Sequence, residues 1–311
     1  MTRHITGLHH VTSLASDAQG VNDFFTGTLG LRRVKKTVNF DAPDVYHLYF
    51  GDGAGTPGSV MTHFPFPHAA PGRRGTGEAG TTAFAVPVGA LPYWHERLTR
   101  AGLGDSLEPG IRFGEARLGF AGPDGDGFAL VEIEDDDRTP WEGADVPSDV
   151  AIRGFHSVEL VLRETDGTAR LLGAMGYEAA GAEGETRRLA IPDGNGAHRI
   201  DLTRSSAAPA VQGAGSVHHV AFAVEDRAAQ AEVRDALTRA GFDLTPPIDR
   251  DYFWAVYFRS PGGVLFEIAT AEPGFDRDEA PETLGTALKL PTQHEHLRDR
   301  LEGRILAPIV D

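Results

Sequence analysis

Four stretches of the chain alternate apolar and polar residues as half-buried strands do: Gly7–Leu14 (GLHHVTSL), Gly80–Val86 (GTTAFAV), Gly154–Val161 (GFHSVELV) and Ser216–Val224 (SVHHVAFAV). Each gives way to a helical stripe. Asp17 can cap the first, whose inner face is Val21, Phe24, Phe25 and Leu29. The second carries Leu91, Trp94 and Leu98, and the third Leu171, Leu172 and Met175. Asp226 caps the fourth, with Ala229, Val233 and Leu237 facing inward. Every stripe ends in glycine plus an apolar residue: Gly30-Leu31, Gly102-Leu103, Gly176-Tyr177 and Gly241-Phe242. Glycine suits the left-handed position that closes a helix. Further strand-like runs follow, broken by turns such as Pro123-Asp124-Gly125, Pro192-Asp193-Gly194 and Pro261-Gly262-Gly263.

The unit reads β-α-β-β-β and occurs four times, over 1–67, 80–137, 150–204 and 215–275, with a tail over 276–311. In the tail, Thr292-x-x-Glu295 has the form of a capping box opening a last helix. One such unit cannot bury both faces of its sheet, whereas two paired units form a curved sheet with a cupped interior. The expectation is an α+β fold of four βαβββ modules paired into two cupped mixed sheets. The glycine-rich segment His68–Gly80 reads as a flexible linker between the first two units.

Composition narrows the functions open to such a fold. The chain has 311 residues and is 41% apolar, enough for a large core. Its 29 Lys and Arg against 45 Asp and Glu give a formal charge of −16, which disfavours nucleic acid as a partner. There is no cysteine, which excludes disulfides, thiolate metal sites and a thiol nucleophile. The opening residues lack the apolar stretch of a signal peptide, and no run approaches the ~18 apolar residues of a membrane span. A cytoplasmic enzyme with a small-molecule substrate is expected.

Aligned by their apolar residues, the four opening strands place His10, Thr81, Ser157 and His219 at one position. Aligned by their turns, the closing strands place His63, Glu132 and Glu267 at another, with Ile200 or Asp201 near it in the third unit. Units one and four thus offer His10, His219 and Glu267. Two imidazoles and a carboxylate are a common ligand set for Fe, Mn, Zn or Ni, and as a facial triad they leave positions open. Units two and three offer only Thr81, Ser157 and Glu132, too weak a set to hold a metal. The first unit should therefore pair with the fourth, the second with the third, giving one metal per chain. Strand alternation leaves His9 and His218 either pointing away from the cup or reaching round behind the ligands. His47 and Tyr49 alternate with Leu48 and are candidates to face the cup.

These segments, together with FFTGTLGLRRVKKTVNFD, YHLYFGD, PGSVMTHFPFP, DRDYFWAVYFRSPGGVLFEIAT and the tail LGTALKLPTQHEHLRDRLEGRI, resemble ring-cleaving dioxygenases of the vicinal oxygen chelate (glyoxalase/extradiol-type) superfamily. Within it the chain is most similar to hydroquinone 1,2-dioxygenases and quinone-detoxifying dioxygenases, nearly end to end. The resemblance implies Fe(II), with Mn(II) as the other candidate, on His10, His219 and Glu267. It implies supporting roles for His9, His218, Arg250 and Tyr257, and a small aromatic substrate with O2. A homodimer is compatible with it. His63 departs from the pattern: it is a candidate to hydrogen-bond a substrate or a water, or to be a fourth ligand, and as a fourth ligand it would close a position that oxygen needs. That arrangement would suit a glyoxalase-like isomerase or lyase using Zn or Ni. A metal-free, drug-sequestering protein of the same superfamily is the non-enzymatic alternative.

Overall fold

In the computed structural model, which describes residues 4–310, the sixteen strands form two eight-stranded sheets. The first unit supplies β1 (Gly7–Ala15), β2 (Arg32–Val38), β3 (Tyr46–Gly51) and β4 (Val60–Pro65). The second supplies β5 (Glu78–Pro87), β6 (Glu108–Arg112), β7 (Glu115–Ala121) and β8 (Gly127–Ile133). The third supplies β9 (Gly154–Leu162), β10 (Glu178–Glu183), β11 (Thr186–Ala190) and β12 (Arg199–Arg204). The fourth supplies β13 (Val217–Val224), β14 (Ile248–Asp249), β15 (Phe253–Arg259) and β16 (Leu265–Pro273). One sheet runs β14-β15-β16-β13-β1-β4-β3-β2 and the other β10-β11-β12-β9-β5-β8-β7-β6. The first unit is thus joined to the fourth, and the second to the third, through their antiparallel opening strands. This is the α+β vicinal oxygen chelate fold.

The helices lie where the apolar stripes place them. Asp17 accepts from Gly20 N at 2.8 Å to start α1 (Ala18–Asn22), which runs on as a π-helical turn through Thr28. Phe25 and Leu29 are fully buried on its inner face. The helices α2 (Leu91–Leu98) and α3 (Asp166–Ala174) bury Trp94, Leu98, Leu171 and Leu172. Asp226 accepts from Ala229 N at 2.8 Å and opens α4 (Arg227–Arg239). The closing glycines Gly30, Gly102, Gly176 and Gly241 have φ of 69°, 84°, 100° and 91°, values that carry a steric cost for any residue with a Cβ.

Two expectations about connecting segments are corrected. The segment 68–80 is held rather than loose: it pairs with the connection between units three and four, through Arg73 N to Val211 O and Gly72 N to Ala214 O. In the tail, Thr292 does not cap a helix. Its N–H and hydroxyl bond to the carboxylate of Asp251, and Glu295 pairs with Arg298. The segment Thr292–Leu297 is a 3-10 turn leading into a single turn of α5 (Arg298–Leu301). The tail docks on the first sheet: fully buried Lys35 of β2 lies 2.6 Å from both Asp278 and Glu279.

Candidate active site

The first cup brings His10, His219 and Glu267 together, all buried. His10 is on β1, His219 on β13 and Glu267 on β16, adjacent strands of one sheet. The two Nε2 atoms are 3.1 Å apart. Glu267 Oε2 is 2.9 Å from His219 Nε2 and 3.4 Å from His10 Nε2. Neither approach has hydrogen-bond geometry, and both carboxylate oxygens are buried without a donor. A buried carboxylate in that state is costly unless a cation neutralises it. Three ligand atoms converging on one point, with the negative charge unmet, fit a divalent metal.

Each of these histidines is backed by its neighbour. His9 Nδ1 stands 2.9 Å from His10 Nδ1, and His218 Nδ1 2.8 Å from His219 Nδ1. The cause is a pair of β-bulges. Between Leu8 and His10 the first strand carries an extra residue, His9; between Val217 and His219 the facing strand carries an extra residue, His218. A bulge re-aims a side chain that strict alternation would send to the other face. His9 Nε2 bonds the carbonyl of Thr270 at 3.1 Å, and burial lowers its pKa to about 3. His218 lines the cavity, and burial, then His219, lowers its pKa to about 4.

Around the cluster lies a cavity of about 490 Å³, mostly apolar, with Phe40, Phe64, Phe66 and Phe253 in its wall. Phe253 packs on His10 with ring centroids 5.0 Å apart. Arg250 and Tyr257 face the cavity, with Arg250 Nε donating to the Tyr257 hydroxyl at 3.3 Å. Burial, then the Glu267 charge, pushes the Tyr257 phenol up, so it stays protonated. The mouth includes Asn39–Ala42. Gln293 of the tail donates to the Phe40 carbonyl at 3.0 Å, and Asp41 lies 3.5 Å from Arg250. His47 and Tyr49 both face this cup.

His63 does not belong to the site. The register of β1 with β4 pairs Thr12 with Thr62 and Ser13 with His63. Thr62 therefore faces the cup, where it meets Thr12 and His47 at 2.8 Å each, while His63 faces the helices. His63 is buried against Phe25, ring centroids 4.7 Å apart, with both nitrogens unpartnered. Burial lowers its pKa to about 3. The fourth-ligand arrangement is excluded.

Glu132 is likewise misplaced: it pairs in register with Val86 and accepts from Gly89 N and Leu91 N at the start of α2. The true counterpart of Glu267 in the second cup is Asp201, which pairs with Glu159 as Glu267 pairs with Ala221. Asp201 does not await a metal. Arg188 grips it at 2.8 and 3.0 Å and reaches Glu115, while Arg112 bonds Glu159 at 2.8 Å. About 10 Å³ of space remains there. The second cup is filled by ion pairs.

The sequence matches the family described as the Glyoxalase/Bleomycin resistance protein/Dioxygenase superfamily over residues 7–142 and 127–268. The chain belongs to that superfamily. It is 41% identical to a Bacillus subtilis (strain 168) protein designated ring-cleaving dioxygenase MhqO, over 98% of this chain and 97% of that one. It is 38% identical to the chlorohydroquinone/hydroquinone 1,2-dioxygenase of Sphingobium indicum, over 100% and 99% of the two chains. A crystal structure of a protein designated a dioxygenase from Bacillus subtilis subsp. subtilis str. 168 superposes with a TM-score of 0.95 at 40% identity, covering 99% of each chain. Glyoxalase I of Zea mays shares the fold, with a TM-score of 0.64 at 16% identity over 85% of this chain and 92% of that one. Similarity of this extent to named dioxygenases makes the chain an enzyme. Among the described residues no helix is long and apolar enough to cross a membrane.

Proposed function

We propose that this superfamily member is an Fe(II)-dependent dioxygenase that opens the ring of a hydroquinone-type substrate. The observation that carries the reading is the buried, donor-free Glu267 carboxylate facing two imidazoles at the end of an apolar, ring-sized cavity. His10, His219 and Glu267 would hold the metal, and three protein ligands leave positions for substrate and oxygen. Fe(II) there supplies a Lewis acid, able to favour a phenolate, and a redox-active centre for oxygen. The curated relatives support the substrate class, since one is named for hydroquinone and chlorohydroquinone.

The remaining steps fall to the chain's own groups. With Nε2 of both ligands committed, His10 and His219 carry their protons on Nδ1 and donate to His9 and His218, which fixes the ring orientations. His218, at the cavity wall, accepts from His219 at Nδ1 and so carries its own proton on Nε2, which makes it a donor to a developing oxyanion rather than a base. Arg250 offers fixed positive charge to a developing oxyanion, and the protonated Tyr257 beside it is a donor. The phenylalanines in the wall limit the water that can surround the bound ring.

An isomerase of glyoxalase type would be favoured by a closed four-ligand site, and His63 was the residue available to close it; it lies on the other face of the sheet. A metal-free binding protein has no use for a buried carboxylate between two imidazoles. The test is an oxygen electrode with anaerobically Fe(II)-loaded protein and hydroquinone, with 18O2 tracing. Equal consumption of oxygen and hydroquinone, with both labelled atoms in a ring-opened acid, is expected. No uptake, or uptake yielding only quinone, overturns the reading.

A further inference from the structure

One polar row crosses the apolar floor of the cup, and beyond His219 it has no part in the chemistry above. Register places His219 beside Thr12, Thr12 beside Thr62 and Thr62 beside Tyr49, on four consecutive strands. A hydrogen-bonded chain runs along it: Thr12 Oγ1 to Thr62 Oγ1, Thr62 Oγ1 to His47 Nε2 and His47 Nδ1 to the Tyr49 hydroxyl, each at 2.8 Å. His47 packs at a tilt on Tyr49 with centroids 4.0 Å apart and lies 4.3 Å from Phe64, while Phe275 backs Tyr49 at 5.1 Å. The phenol is thus fixed in place by packing and by its neighbours.

The chain ends at the cavity. Among the described residues His47 is the one hydrogen-bond partner of the Tyr49 hydroxyl, which therefore keeps spare capacity, and Tyr49 lines the cavity. A neutral imidazole has one N–H and one bare nitrogen, so the chain can run either way. In one direction Tyr49 donates to His47 and presents a bare lone pair; in the other it accepts from His47 and presents its own proton. From β1, which carries His10, β3 is two strands away, about 10 Å of sheet. A ring with polar groups at opposite ends suits a site that has the metal ligands on one side and Tyr49 on the other.

We propose that Tyr49, oriented by His47 and the Thr62–Thr12 pair, binds a second hydroxyl on the far side of the ring and so selects para-dihydroxybenzenes over phenols with one hydroxyl. This deepens the ring-cleavage reading and rests on it for the position of the first hydroxyl. A substrate without that second hydroxyl leaves the spare hydrogen-bonding capacity of the Tyr49 hydroxyl unmet and shielded from water, which penalises it.

The test is anaerobic titration calorimetry of Fe(II)-loaded protein with hydroquinone and with phenol, for the native chain and Tyr49→Phe, alongside oxygen uptake. The native chain is expected to bind hydroquinone about tenfold more tightly than phenol. Tyr49→Phe should bring the two within about twofold by weakening hydroquinone alone, and raise its KM. Thr62→Val, which keeps the phenol and removes its support, should lose part of the preference, and it carries the test if Tyr49→Phe does not fold. A native ratio near one, failure of hydroquinone to bind, or an unchanged ratio in the variants overturns the proposal. The two readings fail separately: preference without oxygen uptake sinks ring cleavage alone, and ring cleavage with an unchanged ratio sinks the role of Tyr49 alone.

Discussion

His218 Nδ1 stands 2.8 Å from His219 Nδ1 because His218 is the extra residue of a β-bulge. The first unit repeats the device, with His9 behind His10 at 2.9 Å. Each pair fixes which nitrogen of the inner histidine is free for a metal. Replacing His9 by Phe, which keeps the ring volume and removes the acceptor, should weaken Fe(II) retention by about ten- to a hundredfold. His218→Phe should do the same and also depress turnover, because His218 alone of the two lines the cavity. Competition with a chelator, followed by metal analysis, measures the first effect. Retention equal to the native protein in both variants would show that the bulged histidines do not orient the ligands.

His63 supplies a contrasting case. It lies on the helix side of β4 with no hydrogen-bond partner, and burial holds its pKa at about 3. A folded pKa below the unfolded value of about 6.5 contributes stability above that pH and loses it as pH falls toward 3. His63→Leu should therefore keep full metal content and turnover and be less sensitive to acid than the native chain. Thermal unfolding from pH 4 to pH 7 reads the difference. Loss of metal in this variant would restore His63 as a ligand and reopen the isomerase reading.

The contrast shows how far sequence reasoning reached. The repeat, the pairing of units and the meeting of His10, His219 and Glu267 are consequences of periodicity, and periodicity is legible. Register was legible only to within a few residues. Aligning the closing strands on their turns puts His63 where Thr62 belongs, and in a strand a slip of one exchanges the two faces. Glu132 was displaced by three residues from Ala129, an odd slip that again exchanges the faces, and Asp201 was one of two choices beside Ile200. The bulges carry no compositional mark, so alternation could not decide where His9 and His218 point. Lys35, buried in a strand and satisfied by Asp278 and Glu279 from the tail, depends on contacts too distant in sequence for any local pattern to show.

The second cup should tolerate no loss from its ion-pair network. Asp201 and Arg188 are 2% and 6% exposed and bonded through two oxygens, so Asp201→Ala leaves a buried guanidinium with only Glu115. Breaking one partner of a buried pair costs on the order of 3–5 kcal/mol. Chemical denaturation should show a loss of that size, while metal content stays at one per chain. A variant as stable as the native protein would mean that the network contributes little to holding the second sheet together.

Asp126 predicts a pH dependence of the opposite sign. It is 4% exposed, in the turn before β8, and burial raises its pKa to about 7, with nearby Asp124 adding to the rise. A carboxyl whose folded pKa lies above its unfolded value of about 3.9 is bound to its proton more tightly in the folded state. Its contribution is complete below the unfolded pKa and is lost as pH rises through the folded one, here between about 4 and about 7. Asp126→Asn keeps the shape and cannot ionise. It should match the native chain near pH 4, become progressively more stable than it up to about pH 7, and hold a constant advantage above that. Metal binding and the histidines titrate in both proteins and cancel in the difference, so paired melts across this range isolate the aspartate. Parallel curves for the two proteins would show that Asp126 ionises freely in the folded state.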